Sequence, residues 1–499
     1  MSKADQIPLT IEQRQSPVAI LIIVQTLFFT IIKSAWPVFV FYFINPQSKF
    51  EVFITIIGIG AVALSTVGSL IAFFNFYFHL KDNEMVIRSG LINKTNRNIP
   101  FDRIQTINFT QTLVHRFFNV VQLDLDTAGS AGSELAIKAL SKTKAHEIRN
   151  FILERKAEIN ATTATPTDLR EDKTSVTTQP VKELLRLSIV DLLKIGVSQN
   201  HIRTAGIMLA FSFGLLQYTE GVFGKEQEAA MFAMVFGSII IVTGLLLLLL
   251  FGAFLFTLIN TVLKYYDLRV TQTNTGFSVI SGLFTRHEKS APTEKIQLVE
   301  WSSNPIKRLF NLYTLYIKQA ASKLLIGNKN FVIPGCYQPQ IDTIRQTYFP
   351  DFDKDDFTIH AISPLIVGRY TLYFGVVPAL ILIGIYIWKS WWVLIFLLWI
   401  PAVYGYARIW HQRWRYAVSD RGIFYSKGFL GQRAAILRWE KVQAITLDQS
   451  PFQQRRQLTN IILSTAGGIL ELPYVSLQQA NDLQDFVLWR VETDESEWM

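Results

Sequence analysis

Ser89-Gly90-Leu91-Ile92, followed by Phe101-Asp102-Arg103-Ile104-Gln105, decides the fold, because the chain writes this stretch three times. Ser281-Gly282-Leu283-Phe284 leads to Thr293-Glu294-Lys295-Ile296-Gln297, and Lys427-Gly428-Phe429-Leu430 leads to Trp439-Glu440-Lys441-Val442-Gln443. From Gly to Gln the interval is fifteen residues in every copy, with no gap. The match persists where Asp126-Thr127-Ala128-Gly129 meets Lys318-Gln319-Ala320-Ala321 and Ser464-Thr465-Ala466-Gly467. Self-similarity at fixed spacing marks one structural unit used repeatedly. Each copy lies in a polar block behind two apolar runs, so the unit is a pair of runs plus a block.

The apolar runs define the medium. Half of the 499 residues are hydrophobic and only 17% are charged, and the mean hydropathy is +0.25, which is too apolar for a soluble chain of this size. A helix needs roughly 20 apolar residues to cross a bilayer. Six stretches reach that length, at about Val18–Ile44, Val52–Phe78, Thr204–Phe223, Ala229–Leu263, Thr371–Trp388 and Trp391–Ile409. They come in pairs with short inner loops and read as three hairpins. The first run has no cleavage pattern and is longer than a signal peptide, so it is expected to stay attached. The inner loops are poor in Lys and Arg, with only Lys49, Lys225 and Lys389, and the other side is basic, as in Arg408, Arg413 and Arg415. The expected orientation is therefore multi-pass with both termini and all polar blocks cytoplasmic. A single cysteine, Cys336, excludes an internal disulfide and any multi-cysteine metal site.

Each block reads as strands followed by one helix. Val121, Leu123 and Leu125 alternate with Gln122, Asp124 and Asp126, the period of a half-buried strand. Tyr313, Leu315, Ile317 and Thr459, Ile461, Leu463 repeat it. Gly90, Gly282 and Gly428 fall between short β-rich runs, where a turn would need positive φ. Gln105, Gln297 and Gln443 are expected to satisfy backbone groups of a core strand. Ala145, Ile148, Phe151 and Ile152 mark a helical face, matched by Ala480, Leu483, Phe486 and Val487 after Ser476 as N-cap, and loosely by Ile341, Ile344 and Tyr348. The expected block is a curved antiparallel sheet closed by a C-terminal helix.

This order resembles the bacterial pleckstrin-homology-like (PH-like) domain of YdbS- and YdbT-like membrane proteins. The likeness rests on the Gly turn, on Asp102-Arg103-Ile104-Gln105 and Glu440-Lys441-Val442-Gln443, on Ser450-Pro451-Phe452 with Arg455-Arg456 behind it, and on the Thr-Ala-Gly ends. The middle block departs from it, with Gln319-Ala320-Ala321 at the last of these places. The resemblance implies a tandem of membrane hairpins and α+β domains in a bacterial cytoplasmic membrane, and a role in envelope homeostasis or stress resistance alongside a smaller sister protein.

The expected domains are 1–78, the N-terminus and first hairpin; 79–156, the first PH-like domain; 157–184, a flexible linker; 185–265, an interfacial helix (Ser188–Asn200) and second hairpin; 266–350, the second domain; 351–362, a linker; 363–410, the third hairpin; and 411–499, the third domain. Ala157–Pro180, rich in Thr, Ala, Asp and Glu, reads as a tether.

No Walker or dinucleotide loop, nucleophile elbow or paired His at metal spacing occurs, and the seven His residues are scattered. Catalytic residues, cofactors and metals are therefore expected to be none. Positive charge is spread along membrane-flanking segments, which argues against nucleic acid. The remaining candidates are cations for lipid headgroups: Lys33, Arg203, Arg369, Arg413 and Arg415. Snorkelling at span ends is the competing reading. The expected function is a non-enzymatic scaffold or adaptor that meets the bilayer and a protein partner, either a smaller sister protein or a second copy. The alternative is a transporter or export component, for which only Lys33, Gln25, Asn75 and Gln217 offer polarity within the spans.

Overall fold

The computed structural model describes residues 9–44, 51–81, 83–90, 94–127, 133–163, 182–218, 237–273, 276–319, 331–349, 358–388 and 391–493. They form two compact units, one of residues 1–274 with 278–290 and the other of residues 275–277 with 291–499. The expected tether lies mostly outside the described residues.

In the first unit, β1 (Tyr77–Lys81), β2 (Glu84–Ser89) and β3 (Thr95–Pro100) form a three-stranded antiparallel sheet. A 3₁₀ turn at Phe101–Arg103 leads into β4 (Ile104–Gln111), β5 (Val120–Thr127) and β6 (Ser133–Ser141). Alternation in β5 buries Val121, Leu123 and Leu125, and the helix Lys142–Thr163 sets Ala145, Ile148 and Ile152 in the same core with Phe78, Leu80, Met85 and Ile87. Each of these side chains larger than alanine contributes about 1.5–3 kcal/mol by leaving water. The helix reaches Thr163, beyond the expected boundary at 157, and its Ile159 packs against the same core.

The middle block supplies β7 (Lys182–Arg186), β8 (Arg269–Thr273), β9 (Gly276–Ser281), β10 (Arg286–Pro292), β11 (Ile296–Ser303), β12 (Tyr313–Gln319) and β13 (Phe331–Cys336). The third supplies β14 (Thr358–Ala361), β15 (Arg415–Ser419), β16 (Gly422–Lys427), β17 (Gln432–Arg438), β18 (Val442–Asp448), β19 (Leu458–Thr465) and β20 (Gly468–Ser476). β7 straddles the end of the first expected linker at 184 and β14 falls inside the second. Their backbones pair with β8 and β15, so no side-chain alternation was needed to make them strands.

Sequence neighbours on these strands are separated by helices. β7 precedes and β8 follows the second pair of apolar helices, His201–Tyr218 and Ile239–Tyr265, and Arg186 lies opposite Arg269. β14 and β15 flank the third, with Ala361 opposite Arg415. At the first, the Leu80 N–H donates to the Leu9 carbonyl (2.9 Å) and Gln13 bridges Phe78. Each helical pair therefore leaves from and returns to one antiparallel strand pair. Among the described residues two helices, Ile239–Tyr265 and Leu365–Tyr386, are long and apolar enough to cross a membrane, while Val18–Ile31 and Gly58–Phe74 are shorter apolar helices. Leu245 to Leu248 are 49–66% exposed, a surface that lipid accepts and water does not. The expected span Trp391–Ile409 is instead a 3₁₀ segment, Trp391–Leu398, followed by the helix Trp399–Gln412.

The blocks are not separate sandwiches. One seven-stranded sheet runs β6-β5-β4-β10-β9-β8-β7 and another β13-β12-β11-β17-β16-β15-β14, so the fourth strand of one block pairs with the third strand of the next inner sheet. Gln111, Thr110 and Phe109 face Arg286, His287 and Glu288. Ser303, Ser302 and Trp301 face Gln432, Arg433 and Ala434. Under the alignment of the repeats these are the same pairs, so both joints share one register. Side chains reinforce them differently. At the first, Arg149 meets Glu288 (2.9 Å) and the Asn108 Oδ1 accepts from the Ser290 N–H (3.3 Å). At the second, buried Glu300 accepts from Arg433 and pairs with Lys318 (3.1 Å). Burial pushes the Glu300 carboxyl up, but the hydrogen bond from Arg433 and the charge of Lys318 outweigh it and hold it below the usual range.

The repeat marks have structural meanings. Gly282 and Gly428 adopt φ of 112° and 151°, and a Cβ there would meet the Thr285 and Gly431 carbonyl oxygens at 2.0 and 2.1 Å. Gln105, Gln297 and Gln443 sit where the pairing slips, between Ile104 and Thr106, Ile296 and Leu298, and Val442 and Ala444. They mark a β-bulge. A short helix then opens on Thr112, Asn304 or Ser450, and its third residue is His115, Lys307 or Gln453, buried in every copy. Asn119, Asn311 and Gln457 follow with φ of 52–54°. Lys307 donates to Thr314 and to the Pro334 carbonyl (3.1 Å). Burial lowers the Lys307 ammonium to about 8, lowers the His115 imidazole, and pushes the Cys336 thiol up to about 12 against the pull of Lys307. A thiol so placed is unreactive.

Candidate lipid-facing site at the third hairpin

Ser363-Pro364 starts the helix that carries Arg369, and the Ser363 N–H donates to the Tyr474 carbonyl (2.9 Å), docking the hairpin on β20. Ser16 does the same at the first hairpin, donating to the Ala139 carbonyl (2.9 Å). There the contact continues through apolar Ala19 and Ile22 against Val120 and Ala139. At the third hairpin Arg369 takes over. Its Nη1 donates to the Ser450 Oγ (2.9 Å) and the Tyr474 hydroxyl (2.7 Å), and its guanidinium lies 5.5–5.9 Å from the rings of Tyr373, Phe452 and Tyr474. Tyr474 has φ of 55°, strained for an aromatic residue, beside the irregular pairing of β19 and β20. Its N–H is held by the Asn460 Oδ1 (3.1 Å).

Beside this contact opens a cleft of about 700 Å³ lined by Arg369, Tyr373, Tyr404, Arg408, His411 and Phe452. Arg408 donates to the Tyr404 hydroxyl (3.3 Å), and the His411 Nε2 donates to the Ile362 carbonyl (2.9 Å). Two guanidiniums among tyrosines at the root of an apolar helix suit an anionic headgroup.

Of the five cations singled out in the sequence, only Arg369 lines this cleft. Arg413 donates to the Phe429 carbonyl, and Arg415 to the Trp414 carbonyl (2.8 Å), so both brace loops. Lys33 and Arg203 are exposed on helices of the first unit. Arg408 was legible as basic flank and His411 only as one of the scattered histidines, and neither was legible as lining one cleft with Arg369. Tyr474 carries no sequence signal for its role, because its conformation comes from the bulged strand. No group of three or more His, Cys, Asp or Glu suited to a metal occurs among the described residues.

The model of the bacterial PH domain family matches residues 19–156, 213–351 and 365–490. The transmembrane protein YdbT of Bacillus subtilis (strain 168), UPF0699, is 23% identical over 466 residues, 91% of this chain and 92% of that protein. The transmembrane protein YdbS of the same organism is 26% identical over 98 residues, 19% of this chain and 62% of that protein. No solved structure matches. Three repeats, each matched from its hairpin into its final helix, make this chain a member of the bacterial PH domain family.

Proposed function

We propose that the chain is a non-enzymatic membrane scaffold that presents three PH-like domains under the bacterial cytoplasmic membrane, in the service of envelope homeostasis or stress resistance. The observation that carries this reading is the joint between blocks. Two strand pairings of one register hold neighbouring blocks edge to edge. An anchor made of paired apolar helices with both termini cytoplasmic is favoured by the return of each helical pair to its own strand pair and by the basic flanks. The cleft at Arg369 and Arg408 seats an anionic headgroup and fixes the third block against the bilayer. Three domains on one chain raise the effective concentration of their surfaces for a partner that touches more than one of them.

The test is partner recovery after crosslinking in intact cells, comparing the native chain with Glu300→Lys, which places like charges across the second joint. The expected result is full membrane insertion with reduced recovery of crosslinked partners. Unchanged recovery with a disrupted joint, read as faster amide exchange in β17, would falsify the scaffold reading.

A further inference from the structure

The strand order is open at both ends. The fourth strand of the first block, β4, pairs with β10, and that of the middle block, β11, pairs with β17. The corresponding strand of the third block, β18, ends its sheet, which runs β18-β19-β20. Likewise β10 and β17 are paired on their outer edges, but their counterpart β3 ends the sheet β1-β2-β3. Burial follows. β11 is buried at seven of eight positions, whereas β18 has four exposed among seven, and Asn96, Arg97 and Asn98 in the middle of β3 are exposed. The other outer strand of the third sheet, β20, has counterparts β6 and β13 that also end their sheets, so it is not anomalous. β1 also ends its sheet where β8 and β15 do not, but its outer edge meets the backbone of Leu9 and Gln13 as theirs meet β7 and β14; among the described residues the two remaining edges that depart from the internal pattern, β3 and β18, are the complementary halves of one joint.

We propose that β18 of one copy pairs antiparallel with β3 of a second copy, continuing the internal series head to tail. This rests on the scaffold reading and names its partner as the chain itself. The shared register of the two internal joints fixes the third, with Asp448 opposite Thr95, Leu447 opposite Asn96, Thr446 opposite Arg97 and Ile445 opposite Asn98. Charge agrees. Lys94 and Arg97 mark one edge and Asp448 the other, with Arg97 diagonal to Asp448 on one face, so β3 meets β18 with attraction and its own copy with repulsion. An exposed edge of this kind binds by adding a strand. Because the two edges are different surfaces, the contact is heterologous and generates a ring or an open row rather than a closed two-fold dimer.

The test is disulfide trapping in membranes that carry two differently tagged copies. Opposed residues of an antiparallel pair hold their Cβ atoms about 4.5–5.5 Å apart, within reach of a disulfide. The native Cys336 is fully buried and does not compete. Asn98→Cys in one copy with Ile445→Cys in the other, and Asn96→Cys with Leu447→Cys, are expected to link the two tags on oxidation. The mismatched combination of Asn98→Cys with Asp448→Cys is expected to lose the link. Absence of the link at both matched pairs, with both copies inserted at native levels, overturns the proposal, as does equal linking of matched and mismatched pairs. A photoreactive side chain at Ile445 separates the two readings. Capture of a different protein there overturns pairing between copies and leaves the scaffold standing. Failure to capture anything, together with unchanged partner recovery in Glu300→Lys, overturns both.

Discussion

Lys307 occupies a position that the other blocks give to His115 and Gln453, and its cost is readable as a pH dependence. A lysine held at about 8 when folded and near 10.5 when unfolded binds fewer protons in the native state between those values. Stability should therefore rise as pH climbs from about 8 toward 10.5, and the burden at neutral pH is at most on the order of 3 kcal/mol. Lys307→Gln should flatten that limb in a thermal melt series, read as the difference from the native chain because Lys427 and Lys441 are also lowered by burial. His115 works in the same direction lower on the scale. Its lowered imidazole makes the first block lose stability as pH falls below about 6.5. At the third hairpin, Tyr474→Phe removes a hydrogen bond to a guanidinium and should cost about 1.5–3 kcal/mol in denaturation of the detergent-solubilised protein. Arg408→Ala should leave that stability almost unchanged while reducing the anionic phospholipid that copurifies, measured by mass spectrometry.

Among elements, the joints set the expectations. Glu300 is ionised and buried between Arg433 and Lys318, so the stability it contributes is present above the unfolded carboxylate range and is lost as pH falls through its lowered folded value. Glu300→Gln should cost about 1–3 kcal/mol at neutral pH, because two cations lose their partner, and amide exchange should quicken first in β11 and β17. The joints were not legible in the sequence. Alternation in Val121, Leu123 and Leu125 announced β5, but pairing between β4 and β10 is made by backbone groups that every residue carries. β7 and β14 were hidden for the same reason. The Gly of the repeat was readable because only positive φ explains it, while its Gln also marks a bulge, a shift in pairing that no single side chain reports. The cleft was half legible. Arg369 stood out as a cation beside an apolar run, but its neighbours converge only once Tyr474 adopts its left-handed conformation.

The whole chain divides into two compact units, with the middle block contributing its first sheet to one and its second to the other. Units with separate cores unfold separately unless coupled. Calorimetry should show two transitions, with Lys307→Gln moving only the one that belongs to residues 291–499. The bacterial PH domain matches begin at residues 19, 213 and 365, after the strand that precedes each hairpin. The folded block, however, begins before its hairpin, at Leu9, β7 or β14. For the β-domain, then, the entire membrane portion is a loop. Since Arg186 faces Arg269 directly, an Asn-Gly turn joining them would convert the second block's first two strands into an ordinary β-hairpin. The same excision between Ala361 and Arg415 would do so in the third. The lineage of such a protein could gain or shed its bilayer anchor at a single point in each repeat, leaving the sheet register untouched.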